Sequence, residues 1–116
     1  MRGDPRLRTP TDHDPASGAL NQVGGRLDEQ RRKLKLTQDG LCARIEDVTG
    51  GRWRPTRRDV YKLEQGTRSV TDLELLALSV ALECDPIWLF TGDESAIDYA
   101  SKVISTWQQN PLSPVA

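Results

Sequence analysis

Histidine occurs once in these 116 residues, cysteine twice, and phenylalanine and methionine once each. The scarcity of soft ligands argues against a metal centre. The single histidine, His13, falls in an irregular N-terminal stretch, and Cys42 and Cys84 sit in apolar helical surroundings with no further ligand spaced to join them. Two isolated cysteines of that kind read as buried free thiols rather than a disulfide framework. No apolar run approaches the roughly 18 residues a membrane span requires. The first residues also lack the apolar core of a secretory leader, so a cytoplasmic protein with no membrane association is the expectation. Aromatics are 5% of the chain and charged residues 28%, which suits a small helical domain. No cluster of carboxylates, histidines or activated nucleophiles marks a catalytic pocket, so an enzyme is not expected, nor any cofactor.

Charge is present in both signs, and its placement matters more than its sum. The formal net charge of −1 would by itself discourage contact with nucleic acid. Between Val23 and Arg68, however, twelve basic residues face seven acidic ones, whereas from Ser69 onward Lys102 alone stands against seven acids. The chain is electrically two-ended. The basic part suits phosphate, and the acidic part suits solubility or a protein partner.

Residues 1–20 are rich in Pro, Asp, Arg, Ser and Gly and read as a disordered arm. Arg2, Arg6 and Arg8 could enter a minor groove, but Asp4, Asp12 and Asp14 offset them, and an inert tail is the simpler reading. A domain is expected over 21–92. Its first helix spans Asn21 to about Lys35, with Val23, Leu27 and Leu34 at helical spacing. Thr37 caps a second helix that buries Leu41, Cys42 and Ile45, with Gly40 costing about 1 kcal/mol relative to Ala. Glu46 to Arg54 is a connection, in which Trp53 either covers the core or stacks on a sugar or base. Thr71 and Glu74 form a T-x-x-E capping box for a helix apolar on nearly all sides and therefore expected to be central. Asp85-Pro86 opens a short helix ending before Gly92. A sixth helix follows within 93–109. Its stripe of Ile97, Ala100, Ile104 and Trp107 either packs on the domain or forms a dimer contact. Residues 110–116 read as a frayed tail.

The stretch from Thr56 to Gly66 is the functional centre of this reading. Thr56 is a fitting N-cap, Asp59 can close a capping box, and Gly66 is a natural stop. Val60 and Leu63 form a thin apolar seam, while Arg57, Arg58, Tyr61 and Lys62 occupy the other faces. A short helix with basic residues at its start and a narrow buried stripe fits a major groove, although an ordinary solvated surface helix has the same composition.

The ordered set Leu36-Thr37-Gln38, Leu41-Cys42, the capped basic helix ending Leu63-Glu64-Gln65-Gly66, Arg68 to Leu75, Ala81-Leu82, Asp85, Trp88-Leu89 and Gly92 resembles the lambda-repressor-like helix-turn-helix domain of the XRE family of bacterial and phage regulators. The resemblance covers roughly Val23 to Gly92. It implies an all-α, five-helix DNA-binding domain with helices two and three as the helix-turn-helix. It also implies a phosphate contact from Gln38, base-facing positions at Arg57, Arg58 and Lys62, with Tyr61 beside them, and a salt bridge between Arg31 and Glu64. A carboxylate beside the core-facing Leu63 independently calls for a cationic partner. The connection between helices two and three exceeds the usual three or four residues by roughly seven. The extended loop would bring Arg52 and Arg54, with Thr56, near the phosphate backbone.

The expectation is thus a sequence-specific transcription regulator, a repressor in first reading, bound to double-stranded DNA as a homodimer on a two-fold operator and located on the nucleoid when bound. The rival expectation is an antitoxin-like or phage-encoded factor whose acidic C-terminal half holds a partner protein and whose DNA binding is autoregulatory.

Overall fold

The computed structural model describes residues 12–93, 102–106 and 109, and every regular element among them is helical. Five helices succeed one another: α1 (Gly24–Lys33), α2 (Gln38–Val48), α3 (Arg57–Gln65), α4 (Asp72–Ala81) and α5 (Pro86–Thr91). Residues 102–106, within the span expected for a sixth helix, are helical as well. Of the stripe assigned to that helix, Ile104 is exposed, while Ile97, Ala100 and Trp107 lie outside the described residues.

Local chemistry fixes the starts of the helices. Thr37, Thr56, Thr71 and Asp85 are N-caps, each accepting a backbone N–H of its own first turn. Thr56–Asp59 and Thr71–Glu74 are complete capping boxes. Gly66 and Gly92 end α3 and α5 in the left-handed conformation that glycine adopts without a steric penalty. Arginines and a glutamine cap carbonyls across elements. Arg26 Nε donates to Leu89 O at the end of α5 (2.8 Å), Arg44 Nη1 to Ala81 O at the end of α4 (3.2 Å), and Gln30 Nε2 to Leu82 O (2.9 Å).

Leu27, Leu41, Ile45, Val60, Leu63, Leu78, Leu82 and Leu89 are fully buried and form one core with Val23 and Ala81. α3 packs against both α1 and α2, α2 also against α4, and α4 against α5. α1 meets α3 closely at Gly24. A Cβ at Gly24 would lie 2.6 Å from the Glu64 carbonyl oxygen and 2.7 Å from that of Leu63.

Several expectations need correction. α1 is shorter than Asn21 to Lys35. Asn21 stands outside the helix and accepts from the Val23 and Gly24 N–H groups, while Lys35 turns left-handed (φ 59°). α2 runs on to Val48, so part of the expected connection is helix, and Thr49 closes it by donating from Oγ1 to Ile45 O. α4 is not enclosed on all sides. Leu73, Leu76 and Val80 are 74%, 52% and 62% exposed; among the described elements α4 packs chiefly against α2 and α5. Ile87 and Phe90 of α5 are likewise exposed. The two cysteines are free but only half-buried, and burial pushes both thiols above the usual range. Within the arm read from composition over 1–20, the described residues make backbone hydrogen bonds. Asp14 N donates to Ala19 O, and Leu20 N to Gly66 O at the end of α3.

Candidate nucleic-acid interface

α3 has a buried seam and an exposed face. Its C-terminal half is held on several sides. Glu64, with its side chain 4% exposed, receives Arg31 Nε at 2.6 Å on Oε2, and Arg31 Nη2 at 3.2 Å on Oε1. The paired contact expected between these residues is present, and it is two-pronged. The hydrogen bond to Glu64 holds the Arg31 guanidinium more firmly protonated than usual. Arg31 also donates from Nη1 to Leu36 O (2.9 Å) and from Nη2 to Asp28 (2.9 Å), so its donors are well satisfied in a buried place. Gln38 Nε2 donates to Glu64 Oε1 at 3.1 Å, joining the start of α2 to the same carboxylate.

Asn21 is a residue that sequence reasoning passed over. Its amide donates to Leu63 O (3.0 Å) and Arg68 O (2.8 Å), while its Oδ1 accepts from the first turn of α1. It clamps the end of α3 to the start of α1. The available signal was an Asn just before a glycine-rich helix start, a preferred capping type.

The exposed face of α3 carries the expected base-facing set, from Arg57 at its start to Lys62 in its last turn. Arg57, Arg58, Tyr61 and Lys62 are all exposed, opposite the buried Val60 and Leu63. Arg58 and Lys62 form no ion pair among the described residues. Arg57 does: Nη2 donates to Asp39 Oδ2 at 2.8 Å and Nε to Oδ1 at 3.3 Å, across from the first turn of α2. The pairing keeps the Asp39 carboxyl below its usual range. Thr37, Gln38, Asp39 and Arg57 line a shallow cleft at this junction.

The expected phosphate contacts differ in what they still have to offer. Gln38 is half-buried and retains one amide N–H beyond that given to Glu64. Arg52 and Arg54 are exposed on the loop before α3, Arg54 lying 3.6 Å from Glu46. Thr56 is different. Its hydroxyl and its N–H both donate to Asp59 Oδ2, at 3.0 and 2.8 Å, so a phosphate could be met only by opening the cap. Thr56 is the capping residue of α3, as its sequence position suggested.

The loop itself is tied down. Thr49 Oγ1 accepts from Trp53 N at 3.1 Å. Trp53 packs against the core, with the Arg68 guanidinium 5.7 Å from its ring centroid. Arg68 in turn forks onto Glu74 at 2.7 and 3.1 Å. Burial works to raise the Glu74 carboxyl, but Arg68 and the Thr71 N–H outweigh it and the net shift is downward. Arg26, Arg31, Arg44 and Arg68 thus serve the fold. Among the positions expected to meet nucleic acid, the exposed cations are Arg52, Arg54, Arg57, Arg58 and Lys62. Among the described residues there is no group of three or more metal-ligating side chains, and no helix long and apolar enough to cross a membrane.

The chain is similar to the HTH-type transcriptional regulator DicA of Escherichia coli (strain K12), with 34% identity over 74 residues. That match covers 62% of this chain and 47% of the relative, so the chain spans about half the length of the curated protein it matches. No protein-family model matches the chain, and no solved structure matches it at a significant level.

Proposed function

We propose that the chain is a sequence-specific DNA-binding transcription regulator of the XRE type, with its helices in a lambda-repressor-like arrangement and α3 as the reading helix. The observation that carries this reading is the exposed, basic N-terminal half of α3 on a helix whose other end is fixed by Arg31, Gln38 and Asn21. The similarity to a helix-turn-helix regulator supports it. Arg57, Arg58 and Lys62 face base edges with Tyr61 beside them, and Gln38, Arg52 and Arg54 meet phosphates. Arginine against guanine O6 and N7 is the commonest specific contact, so guanines belong in the operator. Occupying a promoter represses without catalysis. Two copies present their reading helices about 34 Å apart, one turn of DNA. The exposed Leu73, Leu76, Val80, Ile87 and Phe90 support association of two copies away from the reading end.

The test is selection of bound duplexes from a random pool near physiological salt. A two-fold symmetric consensus containing guanines is expected. Arg57→Glu and Arg58→Glu should each lower affinity for it at least a hundredfold, and normal binding by either variant would refute the assignment of α3.

One observation favours a second reading. The same apolar side chains lie in a stretch, Ser69 to Ser101, that contains no Lys or Arg. A protein partner with a basic, apolar surface would fit there, with DNA binding then autoregulatory. Sedimentation separates the two: a self-associated chain supports the homodimer, and a chain monomeric on and off DNA supports the partner.

A further inference from the structure

Asp39 is an exposed carboxylate on the side of α2 that faces the reading end of α3. On a surface meant for phosphate a negative charge weakens binding, and its position in the first turn of α2 explains a favourable helix terminus but not its geometry. That geometry is specific. The carboxylate takes Nε and Nη2 of Arg57, which lie along one side of the planar guanidinium. The end of the guanidinium, where Nη1 and Nη2 each have an outward N–H, stays open. Two parallel donors at that end match two acceptors on one base edge, the guanine O6 and N7. A free arginine at an exposed helix start can swing to any nearby phosphate, which offers acceptors regardless of sequence.

We infer that Asp39 is a positioning residue that sets base specificity: it holds Arg57 by one side and presents its end to a guanine. The inference rests on α3 being the reading helix. In water an exposed pair of this kind holds weakly, and it tightens as the interface excludes solvent.

The experiment compares the intact chain with Asp39→Ala, Asp39→Asn, Arg57→Ala and the double variant Asp39→Ala/Arg57→Ala. Each is measured on the selected operator, on operators with single base-pair changes, and on an unrelated duplex, with unfolding curves recorded alongside. Asp39→Ala should lose about tenfold or more of the discrimination at one guanine per half-site, while discrimination elsewhere is kept and affinity for the unrelated duplex is equal or higher. Asp39→Asn, with one acceptor left, should fall between. Once Arg57 is absent, removing Asp39 should change discrimination no further. Uniformly tighter binding by Asp39→Ala, with discrimination untouched, would overturn the inference and reduce Asp39 to a repulsive charge. The reading helix would still stand if Arg57→Ala lost discrimination at that guanine. An unchanged Arg57→Ala would instead remove the reading helix and this inference together.

Discussion

Glu64 is charged, almost fully enclosed, and surrounded by donors from two helices. Removing it leaves Arg31 as a buried cation with only Asp28 and a carbonyl to answer it. Glu64→Ala should therefore destabilise the fold by about 3–5 kcal/mol. The double replacement Arg31→Met with Glu64→Leu should recover most of that loss, because no uncompensated charge remains; urea unfolding of the three chains measures both effects. Acid behaves differently from mutation. Hydrogen bonds from the Thr56 backbone N–H and hydroxyl lower the Asp59 carboxyl, while in Glu74 burial opposes, and is outweighed by, the hydrogen bond from Arg68. Groups that titrate lower when folded than when unfolded contribute fully above the unfolded value, and that contribution is lost as the pH falls through the folded one. Stability should be level near neutrality and decline once the pH drops below about 4. In Glu74→Gln part of that decline should disappear, at a loss of about 1 kcal/mol at pH 7, read from thermal melts across the pH range.

Two adjacent glycines in α1 look equivalent in the sequence, and their surroundings separate them. A methyl group at Gly24 would enter the carbonyls of Leu63 and Glu64, whereas one at Gly25 meets nothing within 4 Å. Gly24→Ala should cost about 1–3 kcal/mol by forcing α1 from α3. Gly25→Ala should instead stabilise the domain by about 0.5–1 kcal/mol. Chemical denaturation of the two variants should give opposite signs. This pair also shows where sequence patterning reaches and where it stops. Caps, boxes and glycine stops were legible because each is written within four residues of chain, and four of the five helix starts follow that grammar. That Glu64 needs a cation was legible because a carboxylate beside a core leucine demands one; that the cation is Arg31 came from the family resemblance alone. The clamp of Asn21 was not, since its acceptors are carbonyls 42 and 47 residues away and any residue type supplies a carbonyl. The open side of α4 was missed for a related reason: Leu73, Leu76 and Val80 record apolarity, not what covers it. The Arg57–Asp39 contact joins two surface charges 18 residues apart, which composition shows only as neutralisation.

Across the whole molecule, cations tied into the fold are not free to displace counterions. If Arg52, Arg54, Arg57, Arg58 and Lys62 each meet a phosphate or base edge, affinity for any duplex should fall steeply with salt. Replacing Arg52 or Arg54 by Ala should flatten the slope of log affinity against log salt by about one unit each, without altering the preferred sequence; fluorescence anisotropy over a salt series measures this. The α4–α5 surface carries exposed apolar side chains in a stretch without Lys or Arg, and there the measurement is association. Leu76→Lys should leave folding stability within about 0.5 kcal/mol, because the side chain is half exposed, yet weaken self-association as followed by sedimentation.

The division of α3 into a buried seam and an exposed face also has a consequence over generations. Side chains that hold the fold, Val60, Leu63 and Glu64, are separate from those offered to DNA, Arg57, Arg58, Tyr61 and Lys62. Lineages descended from such a chain can change what they recognise without relearning how to fold. Duplicated copies could drift to new sites one exposed residue at a time, each intermediate remaining a stable protein. In a library randomised at those four positions, most members should stay soluble and cooperatively folded while their preferred duplexes diverge.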